Sequence, residues 1–254
     1  MNFSNIKKRI IPSILVNNYH VVKTKCFQDH RIFGNLIQTV ELFYRRKVDE
    51  LIILDIDNSK KKNPLDVRIL NLMTSKNLLP ITYGGGIKTL KDIEKCLKTG
   101  CEKIILSSIL IEDIKFLSEA VKNFGSQSII VNIDIKKKAN KYEIFNHVNS
   151  QLNQISLDLF IEKCHEYNCG EIVLNSVQND GIMEGYDLEM LDYLRPKIKK
   201  PLIVSGGCGS PSHMKDAIDK GVDACMAGSI FFFTRYSYID IKKFLAEKQI
   251  KIRV

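Results

Sequence analysis

The sequence predicts one eight-stranded parallel βα barrel. Three observations carry this expectation: eight short apolar runs recur along the 254 residues, amphipathic patterns fill most of the gaps between them, and part of one half of the chain repeats in the other. Runs rich in Ile and Val, without polar alternation, suit parallel strands covered on both faces. Alternation of strands and helices through short connections builds βαβ units, and eight such units close into a barrel. A chain of 254 residues with 44% hydrophobic content is the right size for one barrel, and no linker or low-complexity stretch divides it, so residues 1–254 read as a single domain.

The elements follow in order. IIPSILV, from Ile10, is the first strand. A basic stretch precedes it, as in a signal peptide, but no small-residue cleavage site follows. HVVKTKCFQDHR then reads as a hairpin insertion, and a helical pattern covers 36–46. ELIILDI from Glu50 is the second strand and PITYGG from Pro80 the third, with a helix over 90–98. KIILSS from Lys103 is the fourth; IEDIKFLSEAVKNFG after it places Ile114, Leu117, Val121 and Phe124 on one helical stripe. SIIVNID from Ser128 is the fifth, followed by KYEIFNHVNS, a second hairpin insertion, and a helix over 157–167. EIVLNSV from Glu171, PLIVSGG from Pro201 and ACMAGSI from Ala224 complete the barrel, with helices over 188–194, 211–219 and 239–247.

The repeat is ungapped. PITYGGGIKTLKDIEKCLKTGCEKIILSSI aligns with PLIVSGGCGSPSHMKDAIDKGVDACMAGSI at an offset of 121 residues, which implies two similar half-barrels. Gly85 falls on Gly206, Gly86 on Gly207 and Ser108 on Ser229; Ser205 precedes the second glycine pair. In each half a strand ends in Gly-Gly, and the next ends in Ser107-Ser108 or Gly228-Ser229. Glycine lets the backbone approach a ligand closely, and backbone N–H groups with serine hydroxyls suit an anion. One such turn would be an ordinary βα connection. Two on opposite sides of a barrel mouth predict an elongated substrate with a phosphate at each end.

Carboxylates at strand ends are the second chemical signal. Asp134 closes the fifth strand, Asp55 and Asp57 the second, and Asp180 follows the sixth just before Gly181. In that position a carboxylate suits general acid–base work, against the alternatives of a helix cap or a lysine partner. Asp134 is the strongest acid–base candidate, Asp180 the weakest, since an Asn-Asp-Gly run is also an ordinary turn. The net charge of +9 comes without an aromatic-interleaved basic stripe, so it predicts no nucleic-acid partner. Lys60-Lys61-Lys62 and Lys136-Lys137-Lys138 follow strands, near the expected active face. Seven dispersed cysteines without CxxC pairs and five dispersed histidines predict reduced thiols, no metal site and no cofactor. No apolar run is long enough to span a bilayer, so a cytoplasmic location without membrane partners is expected.

The segments RIIPSILV, DELIILDI, YGGGI, FGSQSIIVNIDIK, GEIVLNSVQNDGIMEGYDLEM, IVSGGCG and GSIFFF resemble, in register over essentially the whole chain, the HisF family, the cyclase subunit of imidazole glycerol phosphate synthase. The resemblance implies a barrel that takes ammonia from a HisH-like class I glutaminase and joins it to a bisphosphorylated ribulosyl-formimino substrate. It implies Asp134 as one of two essential aspartates. The other falls on Leu15, which cannot transfer a proton; the family's Asn-Thr pair is Ser107-Ser108, and the Asp of its DRDG turn is Gln178, while Asp180 and Gly181 persist. Lys23, in the VVK segment, is carried over as a substrate ligand. The family's ring of Arg, Glu, Lys and Glu, where ammonia enters, falls on Arg9, Glu50, Lys103 and Glu171, with every type kept. Leu15 favours a specialised paralogue whose ammonia serves another amination, such as surface-sugar biosynthesis with a separate sugar amidotransferase. The paired phosphate turns favour the histidine-pathway cyclase. A non-catalytic scaffold that activates the glutaminase and the HisA-like isomerase are the remaining readings.

Overall fold

The computed structural model describes residues 7–61, 65–74, 79–139, 141–153 and 155–253. Among these residues twelve strands form in chain order: β1 (Arg9–Asn17), β2 (His20–Lys25), β3 (Gln28–Asn35), β4 (Leu51–Asp55), β5 (Ile81–Gly84), β6 (Lys103–Leu106), β7 (Ile129–Lys138), β8 (Lys141–Asn146), β9 (Gln151–Leu152), β10 (Glu171–Ser176), β11 (Leu202–Ser205) and β12 (Ala224–Ala227). Eight pair in parallel in the order β1-β4-β5-β6-β7-β10-β11-β12, and β12 returns to β1 with Arg9 opposite Ala224, which closes the barrel. The predicted α/β barrel is therefore the fold.

The two insertions are hairpins, as expected. β2 pairs antiparallel with the end of β1 and with β3. β8 pairs with the second half of β7, Ile135 opposite Ile144, and β9 pairs with β8. The half-barrel repeat holds at the level of element ends. Shifting β5, β6 and the helix Leu90–Lys98 by 121 positions lands on β11, β12 and the helix Pro211–Asp219, bound for bound.

Several expected boundaries move. The helix read across IEDIKFLSEAVKNFG is two helices, Ser108–Glu112 and Lys115–Phe124. Asp113, in extended conformation, separates them, and its carboxylate accepts the Lys115 N–H. Asp57 lies in the first turn of the helix Ile56–Lys61, beyond the end of β4. Two further helices, Val67–Thr74 and Ile230–Phe233, were not read from the pattern. In the first lysine triplet, Lys62 lies outside the described residues. Among the described residues, no helix is long and apolar enough to cross a membrane.

Two hydrophobic layers hold the barrel. The larger lies between strands and helices and includes Ile10, Ile14, Ile53, Tyr83, Ile104, Val131, Ile172 and Val204. The smaller fills the barrel itself: Ile11, Ile52, Ile105, Ile130, Val173, Ile203, Ala224 and Met226, with Leu54 against it. Side chains alternate along a strand with a period of two, so each strand contributes to both layers. The same period decides what else faces inward. Two positions before the interior apolar residue stand Arg9, Glu50, Lys103 and Glu171; two or four positions after it stand Ser13, Leu15, Leu54, Ser107, Asn132, Asp134, Asn175 and Ser205. The barrel interior is thus charged at one end, apolar in the middle and polar at the other.

Candidate active site

The strands' C-terminal ends open into a cavity of about 1320 Å³, counting the part continuous with solvent. Of the residues expected at this end, Leu15, Lys23, Asp55, Gly85, Gly86, Ser107, Ser108, Asp134, Asp180, Gly181, Ser205, Gly206, Gly207, Gly228 and Ser229 line it, and Asp57 is not part of the lining. The lysines of the 136–138 triplet do not line it either. β7 runs on through them, and Lys137 pairs with Glu189 at 2.6 Å while Lys136 sits over the Phe145 ring.

The two glycine turns are built as the repeat requires. Gly86 (φ +68°) and Gly207 (φ +104°) occupy the left-handed region, and a Cβ on Gly207 would lie 2.0 Å from the Gly185 carbonyl oxygen. A side chain is therefore excluded on both conformational and steric grounds. Ser107 and Ser229 each precede a short helix, Ser108–Glu112 and Ile230–Phe233, and both serines line the cavity.

Asp134 sits between these turns, 4% exposed, and both of its oxygens are engaged. Oδ1 accepts from Asn132 Nδ2 at 3.0 Å and from Asn175 Nδ2 at 2.9 Å. Oδ2 lies 2.9 Å from His147 Nδ1. Asn132 also reaches Ser107 Oγ at 3.4 Å. Two amide donors and the His147 ring thus hold the buried carboxylate in place. Asn175 Oδ1 is buried without a hydrogen-bond partner among the described residues, so the site holds one open acceptor.

A second polar cluster borders the cavity. Lys23 is buried, its Nζ 3.4 Å from the Ser13 carbonyl and 4.6 Å from the Phe232 ring centre. The atom also lies where a Cβ on Gly228 would come, which places it against the second serine turn. Burial lowers the Lys23 ammonium to about 8, with Asp180 opposing. Asp180 accepts from Thr24 Oγ1 at 3.2 Å; burial pushes its carboxyl up to about 6, with Lys23 and the Thr24 hydrogen bond opposing. Asp180 thus joins the cavity lining together with Lys23 and Thr24. Asp55 lines the cavity but spends its oxygens locally: Oδ1 accepts the N–H groups of Asp57 and Asn58, and Oδ2 accepts Asn58 Nδ2 at 2.8 Å and the Tyr83 hydroxyl at 3.4 Å. Its carboxylate holds the turn after β4.

Leu15 is at the end of β1, beside Leu54 of β4, and lines the cavity on the side of the barrel away from β7. Sequence reasoning did not find His147, Asn132 or Asn175. Asn132 and Asn175 were findable, since they share the inward register of Asp134 and Glu171. His147 stands in the second insertion, and no spacing marked it.

At the opposite end, Arg9 Nη1 meets Glu50 at 3.3 Å, Arg9 Nη2 binds Glu171, and Lys103 Nζ binds Glu171 at 2.5 Å. The four expected residues thus form a chain, Glu50–Arg9–Glu171–Lys103. Burial lifts Glu50, with Arg9 and Lys103 opposing. Burial would also lift Glu171, but Arg9 and Lys103 together hold it below the usual range. The two glutamates differ because Glu171 has two cations in direct contact and Glu50 one.

A closed parallel barrel with a polar cavity at the strand C-termini places the chain among the βα-barrel proteins whose chemistry is carried on strand ends and βα loops. Residues 9–237 match the histidine biosynthesis protein family, and the chain belongs to that family. It is 40% identical over 249 residues, 98% of this chain and 99% of the relative, to the putative imidazole glycerol phosphate synthase subunit hisF2 of Campylobacter jejuni. It is 39% identical over 231 residues, 90% of this chain and 91% of the relative, to a putative HisF subunit of that synthase from Leptospira interrogans. With the HisF subunit of Dehalococcoides mccartyi strain BAV1 it shares 32% identity over 250 residues, 98% of this chain and 99% of the relative.

Proposed function

We propose that this chain is a HisF-type cyclase subunit, working in the cytoplasm with a class I glutaminase whose ammonia it receives. One observation supports the reading most: both glycine turns, Lys23 and the Asp134 cluster line a single cavity. A substrate with a phosphate at each end would span it, one phosphate at Gly86 and Ser108, the other at Gly207 and Ser229. Lys23 would add positive charge at the second turn. Ammonia would enter through the chain of charges formed by Arg9, Glu50, Lys103 and Glu171, cross the apolar layer and reach the substrate beside Asp134. The test is turnover of the bisphosphorylated ribulosyl-formimino substrate by the barrel alone with ammonium salts, which bypasses the partner. Imidazole glycerol phosphate formation is the expected result; its absence with intact, substrate-binding protein would refute the reading.

Leu15 supports a second reading. With no carboxylate at the end of β1, the ammonia would serve a different acceptor, such as a surface sugar handled by a separate amidotransferase. Binding of the bisphosphorylated substrate without turnover, together with ammonia delivery to a sugar amidotransferase, would favour it.

A further inference from the structure

We propose that His147 is the proton-transfer residue of this site and that Asp134 acts through it. The inference deepens the cyclase reading and rests on it. Asp134 is poorly placed to serve a substrate directly. It is 4% exposed, and its two oxygens are already engaged by Asn132, Asn175 and His147. His147 lines the cavity with its side chain 20% exposed. Its Nδ1 is committed to Asp134 Oδ2 at 2.9 Å, and among the described residues nothing engages Nε2. A carboxylate on Nδ1 fixes the tautomer with the proton there and leaves Nε2 as the base.

The ring is held rather than loosely placed. His147 follows directly on β8, and Asn146 Oδ1 accepts the Val148 N–H at 2.9 Å, which pins the turn. Phe145, two residues earlier, meets Phe27 of the first insertion edge to face at 6.0 Å, so the two hairpins brace each other beside the cavity. Leu15 completes the argument, because it removes the one other acid–base position that the resemblance assigns.

The chemistry needs such a group. When ammonia adds to a carbonyl carbon, a C–N bond forms and the C=O pair moves to oxygen. Two protons then pass from nitrogen to oxygen, the C–O bond breaks, water leaves and a C=N bond remains. His147 Nε2 would accept a proton from nitrogen and return it to the departing oxygen, with no oxidant or other co-reactant. Positioned proton transfer of this kind contributes roughly 100-fold to 10,000-fold in rate.

The experiment compares wild type with His147→Asn and His147→Gly in ammonium-dependent turnover of the bisphosphorylated ribulosyl-formimino substrate, with folding checked by circular dichroism. Asn keeps a donor toward Asp134 but has no group at Nε2. The expected result for His147→Asn is a kcat about 100-fold lower or worse with KM changed less than about 3-fold, and loss of the acid limb of the pH–kcat profile. Added imidazole should restore part of the kcat of His147→Gly and none of that of His147→Asn. Nitrogen NMR of wild type should show the Nδ1-protonated tautomer, and Asp134→Asn should release that preference. A folded His147→Asn variant with kcat within about 3-fold of wild type would overturn the assignment and leave the cyclase reading standing. If wild type itself does not turn over, the cyclase reading fails and takes the histidine's role with it. If His147→Asn does not fold, the rescue of His147→Gly decides, absence of rescue counting against the proposal.

Discussion

Replacing Lys103 by Met removes one cation from the N-terminal mouth while keeping most of the aliphatic stem. Lys103 is bound to Glu171 at 2.5 Å, and the two side chains are 20% and 10% exposed. Breaking an enclosed pair by deleting one partner usually costs about 3–5 kcal/mol, because the surviving charge is stranded. Here Glu171 keeps Arg9, so the loss is closer to one charge-assisted hydrogen bond, about 2 kcal/mol. For a chain of this size that corresponds to a fall in Tm of roughly 4–8 °C. Arg9→Met is the contrasting case, since it strips Glu50 of its direct partner and leaves Glu171 with Lys103 alone; its cost should reach about 3–5 kcal/mol. The functional readout is the yield of barrel product per glutamine hydrolysed, measured with a class I glutaminase and again with free ammonium. With Lys103→Met the first yield should fall while ammonium-driven turnover holds, because the opened mouth leaks ammonia before it reaches the cavity. Equal yields from both variants and wild type would refute the gate, whatever happened to Tm.

Three further outcomes are expected. Sulfate does not titrate near neutrality, so its affinity for the Gly207–Ser229 turn reports the charge on Lys23; with that ammonium lowered to about 8, binding measured by calorimetry should weaken about 10-fold between roughly pH 7 and pH 9, and a flat profile would detach Lys23 from the anion. Gly207→Ala should cost at least about 2 kcal/mol in denaturant unfolding, since its Cβ would stand 2.0 Å from the Gly185 carbonyl, whereas Gly125→Ala, with nothing within 4 Å, should cost only about 1 kcal/mol for its φ; similar values would show that the turn yields. Leu15→Asp should raise ammonium-dependent turnover by no more than about 10-fold, because His147 already carries the proton; a gain nearer 100-fold would make the missing aspartate the limiting loss.

The barrel was legible because its signals are local and redundant. Each buried parallel strand is a continuous apolar run, and the 121-residue repeat fixed β5, β6, β11 and β12 together, so two weak readings supported each other. Two of the helices missing from the sequence reading lacked periodicity, since Ile230–Phe233 is apolar on all sides and Ile56–Lys61 is short and charged, whereas Val67–Thr74 buries Ile69, Leu70 and Met73 on one face and had a pattern to read. The paired glycine turns were legible for the same reason as the barrel, being duplicated. His147 was not, because its position comes from a hairpin register rather than a motif. Lys138 pairs with Lys141 and Ile135 with Ile144; one step inward brings Asp134 opposite Phe145, two residues from His147. Reading KYEIFNHVNS as a hairpin was sufficient to place that histidine, had the register been carried back to the end of the fifth barrel strand.

The interior layering explains how one end can change while the other is kept. Along β10, Glu171, Val173 and Asn175 face inward in turn, so the charged mouth and the polar cavity are four residues apart, about 13 Å at strand rise, with an apolar layer between. An ammonium ion entering that layer would lose its hydration without a partner, while neutral ammonia gives up far less. In the proposed role, the charges at Arg9, Glu50, Lys103 and Glu171 therefore govern entry, and the layer of Ile11, Ile52, Ile105, Ile130 and Val173 governs protonation state. Neither task depends on which groups stand above. A substitution such as Leu15, or a transfer of proton handling from a β1 carboxylate to His147, alters the reaction centre without touching the supply of ammonia. By that argument, the coupling yield of Leu15→Asp should equal that of wild type even if its turnover does not, and a change in coupling would mean that the two ends are not independent.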